Sequence, residues 1–117
     1  MKPVRPAAKP LPEVTEAGVN ELRLDARVAE MLPQRRTPAG VPVASCVLAH
    51  ESTQMEAGLP RTVTIELQAV AVGDLAGVLA AASPGAVLKV TGFLAAKSLR
   101  SRSPVVHLNT IEYLQGN

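Results

Sequence analysis

Lys97, Arg100 and Arg102 fall within six positions of one another, with no acidic residue between them. Cations grouped in this way can follow a phosphate backbone. A short charge run in a loop can equally do no more than solvate a surface. Arg35 and Arg36 form a second basic pair, and Arg61 and Lys89 add single cations on segments that read as strands. His50 and His107 are distant in sequence and have no third ligand at metal-binding spacing, so no metal site is expected. Cys46 is the lone cysteine and lies in an apolar stretch, which reads as a small core filler. Nucleophilic catalysis would need a base and an orienting acid beside it, and the sequence displays no such set. Asp25, Glu30, Glu66 and Glu112 read as outward strand charges. Neither glycine-rich phosphate-binding pattern occurs. The residues therefore point to binding, with no enzyme activity and no cofactor.

Composition bounds the setting of these residues. The chain has 117 residues and a formal net charge of +2, enough for one domain that buries roughly two thirds of its unfolded surface. From Val19 onward nine Lys or Arg stand against eight Asp or Glu, so electrostatic function must come from local clustering. Phe93 and Tyr113 are the only aromatic residues, which leaves few groups on which a nucleic-acid base could stack. No apolar run is long enough for a transmembrane helix, and no apolar segment follows Lys2, Arg5 and Lys9 as a secretory signal would require. One thiol cannot form an internal disulfide, which fits a reducing cytoplasm.

The elements that must position the cations follow from periodicity. Residues 1–18 hold four prolines and little spaced apolar character, and read as an extended or disordered arm ahead of a domain at 19–117. Val19 is also what a GTG start codon would encode if translation were drawn from upstream, so the native chain is expected to begin there. Leu22, Leu24, Ala26 and Val28 alternate with Arg23, Asp25 and Arg27, the period-two signature of a half-buried strand. A polar loop covers 34–40, and a largely apolar second strand runs over 41–50. Gly58 and Pro60 predict a loop over 51–60. The third strand spans 61–72, with Val63, Ile65, Leu67 and Ala69 on one face. Asp74 is a suitable N-cap for a short alanine-rich helix over 75–82, which Pro84-Gly85 would stop. The fourth strand covers 86–95 and the fifth 104–114, joined by the basic loop. Five short strands with a helical segment between the third and fourth give the order of an all-β OB-fold barrel.

Particular phrases go further. Asn20-Glu21-Leu22-Arg23-Leu24, Pro38-Ala39-Gly40-Val41-Pro42, Val47-Leu48-Ala49-His50 and Glu56-Ala57-Gly58 occur in that order. Val90-Thr91-Gly92-Phe93-Leu94 and His107-Leu108-Asn109-Thr110-Ile111-Glu112 follow. From about residue 20 to 115 the chain resembles the primosomal replication protein N (PriB) family, relatives of bacterial single-stranded-DNA-binding protein. The resemblance implies a homodimeric OB-fold protein that binds single-stranded DNA, the PriA helicase and DnaT, and helps reload the replicative helicase.

It also implies which residues would serve. Lys97, Arg100 and Arg102 would sit beside the binding face, with Arg35 at a position where the family tends to place a DNA-contacting cation and Arg36 next to it. Arg61 and Lys89 could line the same face, and Phe93 could stack on a base. Two departures count against strong DNA binding. Thr64 stands where the family carries a stacking tryptophan, and Glu51 where a basic residue is expected. The sequence therefore predicts weak, cation-dominated binding, and leaves a protein–protein adaptor as the competing reading.

Overall fold

The computed structural model describes residues 18–115, and the expected arm at 1–18 lies outside this range except for Gly18. The chain order is β1 (Leu22–Met31), β2 (Arg35–Arg36), β3 (Pro42–Glu56), β4 (Leu59–Val72), α1 (Asp74–Ala80), β5 (Val87–Ala96) and β6 (Pro104–Gln115). The long strands neighbour one another in the order β1-β5-β6-β4-β3, and a β1–β3 pairing closes them into a five-stranded barrel. The β4–β6 ladder is parallel and the others are antiparallel, so the barrel is mixed. The expected helix lies within two residues of its predicted bounds, but follows the fourth strand in chain order instead of the third. The two-residue β2, which adds a strand to the count, is the reason.

Alternation in β1 works as its sequence suggests. Ala26 and Val28 are buried and Leu22 and Leu24 half-buried, while Arg23, Asp25 and Arg27 are exposed. The first half of β1 pairs with β5 and the second with β3; a bulge at Ala29 turns the strand from one neighbour to the other. His50 braces this divide. Its Nδ1–H donates to the Asp25 carbonyl at 2.6 Å, which fixes the tautomer because a carbonyl only accepts. Nε2 then accepts from the Ser52 hydroxyl at 2.7 Å, and the same oxygen accepts from Gln54 Nε2 at 2.9 Å. Both ring nitrogens are engaged in structure.

The loop predicted over 51–60 is instead a continuous ribbon. β3 and β4 stay in register down to Glu56↔Leu59, closed by a two-residue turn at Ala57-Gly58. Both turn residues have positive φ, 53° and 81°, as a type I′ hairpin turn requires. Pro60 does not break the ribbon because it lies opposite Met55, one step from the closing pair, where antiparallel partners exchange no hydrogen bonds.

A second correction concerns the start of α1. Gly73, at φ 79°, is the N-cap and Asp74 is the first helical residue, with no side-chain capping bond. The chain leaves β4 through a conformation that favours glycine, and the Asp74 carboxylate still lies at the positive end of the helix. Ala76 and Leu79 of α1 are buried in the main core with Val28, Cys46, Leu48, Leu88, Val90 and Val106. The Tyr113 hydroxyl ties the helix to β6 by donating to the Val78 carbonyl at 2.6 Å.

β5 and β6 approach most closely at Gly92. A Cβ there would overlap the His107 carbonyl oxygen and lie 3.1 Å from Leu108 Cα. The ladder is irregular at this step, Asn109 being the extra residue on β6. Gly92→Ala is expected to lower the unfolding free energy by about 1–3 kcal/mol through overpacking against backbone. Urea denaturation measures this, and an unchanged midpoint would show that the ladder has room to give.

Candidate nucleic-acid interface

The outer face of β3, β4 and β6 carries a second, smaller cluster of buried side chains, Val43, Val70 and Val105. These residues alternate with core residues along their strands, so they point away from the barrel interior. They floor an open groove of about 360 Å³ whose lining includes Arg35, Ser45, Gln68, Lys97 and His107. Arg35 and Lys97 therefore meet in one groove, although they are far apart in sequence.

Local structure explains each placement. β2 pairs with β3 so that Arg35 stands opposite Val43 and Arg36 opposite Pro42. Adjacent strand residues face opposite ways, so only Arg35 lines the groove. Arg36 instead donates to the Gly40 carbonyl at 2.7 Å across the turn that joins β2 to β3. Thr37 shapes that turn: its backbone N–H donates to the Val41 carbonyl at 2.9 Å, and its hydroxyl accepts from the Val41 N–H at 3.1 Å. On the other side, the Lys97 N–H donates to the Ser103 carbonyl at 2.8 Å and closes the neck of the basic loop. Within the loop the Ser98 hydroxyl accepts from the N–H groups of Arg100 and Ser101 at 3.2 and 3.0 Å. This loop is a built turn. Arg100 and Arg102 are exposed on it and lie outside the groove lining.

The remaining predicted cations lie elsewhere. Arg61 is on the ribbon and pairs with Glu56 at 2.6 Å, so its charge is matched locally. Lys89 stands between Asp25 on β1 and Glu112 on β6 in the outer register, and lines a separate depression with Arg23, Asp25 and Glu51. Thr64 and Glu51 are register partners on the outer face of β3 and β4, with Glu66 diagonal to Glu51. On β3 and β4 the face is thus divided: cations meet at the groove, and carboxylates lie towards the ribbon, where Arg27 of β1 borders the same depression as Glu51 and Glu66. Among the described residues, no carboxylate lines the groove.

Phe93 does not line the groove either. It stacks on His107, with ring centroids 5.1 Å apart and planes 9° from parallel. His107, which the sequence offers only as a metal ligand lacking partners, is the ring that reaches the groove. The signal was present in β6, where Val105 and His107 share an outward face between the buried Val106 and Leu108. Among the described residues no three His, Cys, Asp or Glu are grouped to hold a metal ion. Cys46 is buried in the core, and desolvation pushes its thiol up to about 11. The thiolate is the reactive form, so Cys46 has little of it at neutral pH.

The groove lies on the second and third long strands, between the segment after β1 and the loop that joins the last two strands. In OB barrels this is the surface on which oligonucleotides and oligosaccharides bind. The profile of a family described as "Another single-strand binding protein family" matches residues 20–110. The replication restart protein PriB of Bordetella pertussis is 42% identical over 99 residues, 85% of this chain and 92% of that one. A solved structure of PriB from Ralstonia solanacearum superposes with a TM-score of 0.78 at 37% identity, over 84% of this chain and all of that one. The single-stranded DNA binding protein of Thermus aquaticus shares the fold alone, with a TM-score of 0.67 at 23% identity over 86% of this chain and 52% of that one. The chain belongs to the single-strand binding family, in the branch of the replication restart proteins PriB.

No helix among the described residues is long and apolar enough to cross a membrane. For Cys46, alkylation by iodoacetamide at pH 8 is expected to be negligible in the folded protein and complete in denaturant. Intact mass spectrometry distinguishes the two; rapid labelling of the folded chain would contradict the burial.

Proposed function

We propose that this protein is a replication-restart accessory that binds single-stranded DNA weakly and electrostatically, and engages the PriA helicase to help reload the replicative helicase. The observation that carries the DNA part is the groove: Arg35 and Lys97 flank a valine floor with no carboxylate in the described lining. Phosphates would follow the cations while bases rest on Val43, Val70 and Val105. Arg100 and Arg102 extend the positive field from the same loop as Lys97. Contacts shared by DNA and helicase would make each raise the other's affinity. Family membership supports the PriA and DnaT partnerships and the homodimer. A cytoplasmic location fits the unpaired Cys46. Membership of a family of single-strand binding and replication restart proteins supports a role in binding without catalysis.

A second reading, a protein–protein adaptor with little DNA affinity, draws on Thr64, Glu51 and Glu66. Stacking contributes about 1–3 kcal/mol per base, which threonine cannot supply. The carboxylates repel a strand laid along the ribbon.

Fluorescence anisotropy on a labelled oligonucleotide, across salt concentrations and with or without the helicase, separates the two. Four cations at about 0.7 counterions each predict a log–log salt slope of roughly −3. Replacing Lys97, Arg100 and Arg102 together should lower affinity and flatten the slope. No binding in any condition leaves the adaptor.

A further inference from the structure

Among the described residues one aromatic stack occurs, Phe93 on His107, and only its histidine half reaches the groove. The strand order β5-β6-β4 explains the arrangement. Phe93 and His107 are register partners across β5–β6, and His107 and Val70 are partners across β6–β4. Phe93 therefore covers one side of the imidazole. The groove, with Val70 in its floor, lies on the other. Close approach of the backbones at Gly92 holds the two strands together immediately beside this pair.

The geometry points to the Phe93-backed face of His107 as a base-stacking platform in the groove, standing in for the aromatic side chain that Thr64 lacks. This inference rests on the single-strand-binding reading above and names the residue that would contact a base. Three features support it. Histidine is among the side chains on which unstacked bases pile. The ring already has a partner behind it, so little freedom is lost when a base arrives in front. The valine floor and the Arg35 and Lys97 flanks fix where such a base and its phosphates would lie. Phe93 would then act as a positioning residue, holding the imidazole upright without touching the strand.

The test compares anisotropy binding of the full chain to labelled oligo(dT) and to an abasic oligonucleotide of equal length. His107→Ala is expected to weaken oligo(dT) binding about five- to tenfold, to leave abasic binding unchanged and to keep the salt slope. His107→Tyr, which retains an aromatic face, is expected to keep the oligo(dT) affinity. A merely structural role for His107 would reduce both strands alike. Equal losses on the two strands, or no loss on either, overturns the platform. Those results would leave the cationic groove standing, since Arg35→Ala and Lys97→Ala would still flatten the salt slope. Absence of wild-type binding to either strand, with or without helicase, overturns the DNA reading and the platform together.

Discussion

Gly92 sets the distance between β5 and β6, and much of the outer surface follows from that distance. Its absent side chain lets the backbone carbonyl of His107 sit where any other residue would place a Cβ. The close approach coincides with the step in the ladder at Asn109. Beyond it, Phe93 and His107 come into register, and β6 turns to β4 through the barrel's parallel pairing. Val105 and His107 then stand outward beside Val70, forming one wall and part of the floor of the groove. A glycine in a strand usually marks a bulge or a close approach; here it marks both.

The outer face of β3 and β4 is chemically divided along its length. At the barrel end, buried valines lie between Arg35 and Lys97. Towards the ribbon, Glu51 and Glu66 are diagonal neighbours near Arg27, and Arg61 forms an exposed pair with Glu56. A polyanion proposed to cross this face would be held at the groove and discouraged from continuing along the ribbon. The ribbon tip, where Met55 and Leu59 are exposed, is correspondingly more suited to contact with protein than with phosphate.

How far the sequence carries can be judged from individual residues. The alternation at Leu22–Val28 and the cluster at Lys97–Arg102 could be read directly, because a half-buried strand and a basic loop each leave a local pattern. The closed barrel with one short helix was legible from strand spacing, although β2 was too short to leave any periodic signal. The ribbon was hidden because Gly58 and Pro60 usually interrupt strands, and only the pairing phase shows that Pro60 is harmless. Arg35 and Arg36 look equivalent in sequence; a two-residue pairing with Pro42 and Val43 separates their roles. Phe93 is the aromatic that the sequence singles out, whereas the ring that reaches the groove belongs to His107. That distinction depends on which strands neighbour β6, which no local pattern records.

The central claim is that the valine-floored groove, and not the ribbon, is where a single strand would settle. Titration of oligo(dT) into ¹⁵N-labelled protein, followed by amide chemical-shift mapping, tests it most directly. The account predicts that shifts concentrate at Arg35, Val43, Val70, Val105, His107 and the 97–103 loop. Shifts centred on Glu51, Thr64 and Glu66, with the groove amides unmoved, would contradict it.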